Sequence, residues 1–83
     1  MNIYTLKDEK RDTFHQPFFL ADETTAYRAI INLKNDPNSE LKLFPDQFTL
    51  YHLGTYDEET GTIKPSRKPL SNCKEIDFQE NKQ

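Results

Sequence analysis

The chain has one cysteine, two glycines, no tryptophan and no surplus of basic charge, and each shortage closes off a class of protein. A lone Cys73 cannot form an intrachain disulfide, so the cysteine content asks for no oxidising compartment. Gly54 and Gly61 are too few for a loop that cradles phosphates, which gathers several backbone N–H groups with glycine. A formal charge of −3 and a pI near 5.3 argue against coating nucleic acid by bulk electrostatics, which rests on basic charge. A local basic patch stays open. No apolar run approaches the roughly 20 residues of a membrane span, and Met1 to Lys10 lacks the basic-then-apolar pattern of a signal peptide. The expectation is a soluble intracellular protein without a membrane partner.

What is present fits one small domain. Of 83 residues, 34% are hydrophobic and 30% charged, yet six Phe and four Tyr supply large side chains. Burying one such side chain is worth roughly 1.5–3 kcal/mol, enough in sum to hold a polar chain of this length together. A single domain is expected over residues 1–78, with a frayed tail at 79–83.

Asn2 to Lys7 mixes β-branched and aromatic residues in a short alternating run, which predicts a first strand. Lys7 to Asp12 interleaves both charges without an apolar anchor and reads as a solvated turn. Phe14 to Leu20 gathers three aromatics around Pro17, which disfavours helix before it. The segment should be extended and tuck Phe18 or Phe19 under the next helix. An aromatic plug for the core is the first reading; rings that stack bases, or anchor a partner, are the others. Asp22 offers an N-cap, and Ala26, Ile30 and Leu33 recur at helical spacing with Tyr27 and Ile31 beside them. Asn35-Asp36-Pro37-Asn38 stops that helix, and Arg28 falls away from its apolar stripe. Residues 40–47 read as an irregular, partly buried approach with room for a helical turn at Asp46.

Asp46 to Ile63 carries the clearest instruction, a β-hairpin. Its first strand puts Phe48, Leu50 and His52 on one side and Thr49, Tyr51 and Leu53 on the other, with large groups on both. One face covers the helix. The other exposes Tyr51 and Leu53 unless a bulge near Gly54 switches the pattern or a second subunit covers them. Asp57 to Gly61 is a hairpin loop on a type I turn with Gly61 left-handed. The third strand is expected from Thr62 to about Pro65. Thr62 to Lys74 holds Lys64, Arg67, Lys68 and Lys74 and no acid, and Ile76 and Phe78 are expected to dock the chain's end.

Few groupings suggest chemistry. Asp57-x-Glu59-x-Gly61 fails as a calcium loop, because its Gly falls one place early and Lys68 stands where a bidentate Glu is needed. His15, His52 and Cys73 are isolated rather than set at metal-ligand spacing, and Cys73 has no local partner motif for nucleophilic work. Neither an enzyme, a metal nor a cofactor is expected. The remaining constellation is Lys64, Arg67, Lys68 and Lys74 with Tyr51, His52 and Tyr56 on the adjoining strand. Bases of that kind follow a phosphate backbone while aromatics stack on nucleobases, although lysines on an edge strand also discourage aggregation.

The order Gln16-Pro-Phe-Phe19, Ala26-Tyr-Arg-Ala29, Asn35-Asp-Pro-Asn-Ser39, Phe44 to Gly61 and Lys68-Pro-Leu70 resembles the small non-structural protein of gokushoviruses, single-stranded DNA phages of the Microviridae. The resemblance runs from Met1 to about Phe78. It implies a virus-encoded protein of the host bacterial cytoplasm, linked to DNA binding or to genome replication and packaging; it carries over no catalytic motif.

The expected fold is a small α+β domain in β-α-β-β order, with an antiparallel hairpin and one helix on the sheet, the strand order left open. Two functions follow. One is an accessory protein that engages single-stranded DNA, or replication and packaging proteins of phage or host, through Lys64, Arg67, Lys68, Lys74 and Tyr56. The other is a homodimeric protein-interaction module with Tyr51, Leu53 and Phe18 at its interface.

Overall fold

The computed structural model describes residues 1–77. The expected docking of Phe78 and the frayed tail at 79–83 lie outside the described residues. The elements run β1 (Asn2–Asp8), β2 (Thr13–Phe14), β3 (Phe18–Leu20), α1 (Glu23–Asn35), α2 (Glu40–Leu43), β4 (Phe48–Asp57) and β5 (Thr62–Asn72), with 3-10 turns at Pro45–Gln47 and Cys73–Glu75. The expected β-α-β-β skeleton is β1-α1-β4-β5. All pairings are antiparallel, in the order β2-β1-β4-β5, and β3 joins the same side of β1 as β2.

α1 forms where the capping chemistry dictates. The Asp22 carboxylate accepts the Thr25 N–H at 2.9 Å and the Thr25 hydroxyl at 2.7 Å, satisfying a donor that the first turn leaves free. Lys34 near its end reaches the Ile76 carbonyl at 2.7 Å and Asp77 at 2.9 Å, tying the segment after β5 to the helix. The helix buries Ala26 and Ile30 against Tyr4, Leu6, Phe48, Leu50, Cys73 and Ile76, while Leu41 closes one end of this core. Tyr27 and Ile31 pack beside it. Leu33, expected in the stripe, lies at its edge, 37% exposed and beside Leu6, Leu41 and Phe48.

The approach at 40–47 is more regular than its sequence suggests. Ser39 caps α2 by accepting the Leu41 N–H, and the turn expected at Asp46 is the 3-10 turn. Leu41 and Phe48 are buried, but Leu43 and Phe44 point outward.

The largest correction concerns β5, which continues from Thr62 to Asn72 instead of ending near Pro65. Both prolines are accommodated because β5 is the sheet's edge, where a missing N–H facing solvent breaks no ladder bond. The β4–β5 register also slips beside each of them, between Leu50 and Tyr51 opposite Pro69 and between His52 and Gly54 opposite Pro65. Gly61 closes the hairpin at φ +71, donating its N–H to the Asp57 carbonyl at 2.8 Å.

Candidate nucleic-acid interface

The register separates the two faces of the sheet. Tyr4 lies opposite His52 and Leu6 opposite Leu50, and Tyr4, Leu6 and Leu50 belong to the core under α1. Alternation then sends Thr5, Tyr51 and Leu53 to the opposite, helix-free face. There a bulge acts. Ile3 pairs with Gly54 while Tyr4 pairs with His52, so Leu53 is the extra residue in β4. The extra residue shifts the alternation by one, and Tyr56 joins Tyr51 and Leu53 on the helix-free face. Without the bulge it would project toward α1.

Two aromatic pairs stand on this face. Phe14 of β2 meets Tyr51 edge to face at a centroid distance of 5.1 Å, and Phe19 of β3 meets Tyr56 at 5.9 Å. Each pair joins strands on either side of β1. The β1 residues between them, Ile3 and Thr5, are 5% and 0% exposed although no helix covers them, so the rings provide their cover. Phe14 and Phe19 remain 42% and 45% exposed, and Ile63, paired with Tyr56, is 56% exposed. Lys7 lies 5.7 Å from the Phe14 ring centre and is bridged to Asp12 at 3.0 Å. The hydrogen bond to Asp12 raises its pKa above the ordinary lysine value.

The basic residues are less convergent than their spacing suggests. Lys64 and Lys68 pair with Thr55 and His52, which places them on the helix side of β5, opposite in parity to Tyr56. Lys64 shares an open groove with Asp57, Glu58 and Glu59, and Lys68 shares another with Asp22 and Glu23. Arg67 falls in the slipped segment opposite Leu53, and Lys74 sits in the following 3-10 turn. All four are exposed, and no salt bridge among the described residues includes any of them.

Other candidates resolve into structure. Phe18 turns to the core side, 6.2 Å from the Tyr4 ring, away from the face that holds Tyr51 and Leu53. His52 lies edge to face with Tyr4 at 5.3 Å and shares a hydrogen bond with Asn2 Oδ1 at 3.0 Å. Cys73 is fully buried, and burial pushes its thiol up to about 12, with Lys34 pulling weakly the other way. Among the described residues no group of His, Cys, Asp or Glu is placed to hold a metal ion, and no helix is long and apolar enough to cross a membrane.

Phe14 and Phe19 are the site residues that sequence reasoning assigned to the core. Their signal is Pro17, after which β3 begins on β1; alternation along that strand sends Phe18 and Phe19 to opposite faces.

Fold and face together define a small α+β domain whose curled antiparallel sheet carries one helix on one side and an open aromatic surface on the other. The chain belongs to the phage ORF5 protein family, whose model matches residues 1–78, and is therefore a bacteriophage protein. Neither the curated proteins nor the solved structures contain a match to it.

Proposed function

We propose that this is the small non-structural protein of a gokushovirus, a member of the Microviridae, and that it works in the host cytoplasm as a single-stranded DNA-binding accessory of genome replication or packaging. It is a binding protein without a catalytic centre or cofactor. The observation that carries this reading is the bulge-aligned row of Tyr51, Leu53 and Tyr56, with Phe14 and Phe19 half exposed beside it and a basic edge strand adjoining that makes no salt bridge among the described residues. Exposed rings take unpaired bases, and basic side chains on a neighbouring strand follow the phosphates.

The test is fluorescence anisotropy of a labelled oligonucleotide across a salt series. Converting Arg67 and Lys68 together to Ala should weaken binding and reduce the log–log salt slope by about 1.4, the single-strand value for two phosphate contacts. Unchanged binding by the variant, or none by the native protein at low salt, rejects the reading.

A second reading rests on the same exposed rings, together with Met1 and Ile63 at 49% and 56% exposure. Here the face pairs with a second copy or with a phage or host protein, and no DNA is touched. Sedimentation of wild type and Tyr51→Asp separates the homodimer from the monomer, and two monomers reject the homodimer.

A further inference from the structure

We infer that the helix-free face is dimensioned for a single strand of about four nucleotides, whose end bases stack on the Phe14–Tyr51 and Phe19–Tyr56 pairs. This rests on the single-strand reading above and adds the length and form of the ligand.

The spacing follows from the register. Phe14 pairs with Lys7 and Phe19 with Ile3, four residues apart on β1. On the other side Tyr51 pairs with Thr5, and the Tyr56 N–H binds the Met1 carbonyl, again four residues. At about 3.3 Å per strand residue, the two ring pairs are roughly 13 Å apart. A stacked strand rises about 3.4 Å per nucleotide, so four steps, or five fully stacked bases, span that gap, and a strand drawn out to about 4.4 Å per step spans it with four bases. Half-buried Leu53 lies between the pairs on the same face and gives the intervening bases an apolar floor.

Charge selects a nucleic acid over a second copy of the chain. Lys68 pairs with His52 on the helix side, so strand alternation puts its neighbour Arg67 on the helix-free face beside the aromatic row. Arg67 is exposed and in no salt bridge among the described residues, whereas a buried protein interface is depleted of such charges. A single strand is required because duplex bases are already stacked and paired, and ring faces cannot reach them.

The experiment measures anisotropy of labelled dT2, dT4 and dT8 and of an eight-base-pair duplex at low salt, with wild type, Phe14→Leu and Phe19→Leu. Leu keeps an apolar cover over β1 and removes the stacking ring, and circular dichroism checks that each variant folds. Wild type should bind dT4 at least about fivefold tighter than dT2, the lower end of what one stacked base contributes. dT8 should gain little more. Each Leu variant should lose the step from dT2 to dT4 and leave dT2 within about twofold. Affinity that climbs evenly with length and ignores both variants overturns the two-platform arrangement while the charge-based single-strand reading stands. Equal binding of the duplex also overturns it. Absence of binding at every length, with wild type sedimenting as a dimer that Phe19→Leu dissolves, overturns both.

Discussion

Gly54 and Lys64 meet backbone to backbone across the β4–β5 ladder, so tightly that a Cβ on Gly54 would overlap the Lys64 carbonyl and stand 3.1 Å from Pro65 Cα. Gly54 also holds φ +151, a conformation that side chains rarely adopt. The bulge that aligns Tyr51 with Tyr56 therefore depends on this glycine. Gly54→Ala should cost at least about 2 kcal/mol in urea unfolding, from steric overlap added to backbone strain. Gly61→Ala is the control: open space surrounds that position and only its φ of +71 resists substitution, so about 1–2 kcal/mol is expected. Equal losses at the two sites would show that the close approach contributes nothing.

Acid should weaken the fold through Asp8. The residue is 2% exposed, and its carboxylate accepts the Lys10 and Arg11 N–H groups at 3.0 and 3.2 Å, fixing the turn between β1 and β2. Burial disfavours the charge, but the Arg11 N–H, the Gln47 amide, the Lys10 N–H and the Arg11 guanidinium outweigh it and hold the carboxyl below the usual aspartate value. A depressed carboxyl contributes stability that is complete above its unfolded value of about 4 and is lost as pH falls through the folded value. The urea midpoint of wild type should thus drop between pH 4 and pH 2. Asp8→Asn should start lower at pH 7 and fall less, so that the two converge in acid; parallel curves would remove Asp8 from the pH dependence.

Cys73 should be silent to thiol reagents while the protein is folded. Its sulfur is fully buried and burial raises it to about 12, so almost no thiolate exists at neutral pH. Ellman's reagent should react only in denaturant, at the rate of global unfolding. Rapid labelling of native protein would mean that the turn at Cys73–Glu75 opens locally.

In infected cells, the single-strand reading predicts that DNA and its bound proteins come down with the tagged protein and that nuclease releases them. Partners that survive nuclease would favour the protein-interaction reading instead.

Most local structure follows from short-range chemistry in the sequence. Asp22 and Pro37 bound α1 because a cap and a breaker act within one turn, and Gly61 closes the hairpin because only a few residues are involved. The alternation of Phe48, Leu50 and His52 against Tyr51 and Leu53 also shows that β4 has two apolar faces. Strand order is not written in this way, since pairing β1 with β4 joins residues some fifty positions apart. Nor is the length of β5: Pro65 and Pro69 are tolerated only because tertiary structure puts them on the sheet's edge.

The aromatic and basic residues were visible from the start, but their faces were not. One bulged residue, Leu53, reverses which way Tyr56 points, and alternation along β3 sends Phe18 and Phe19 to opposite faces. The residue types and their order are therefore properties of the sequence. Which of them share a surface was decided only when β1 fixed the registers of β2, β3 and β4, because a shift of a single residue sends every following side chain to the other face.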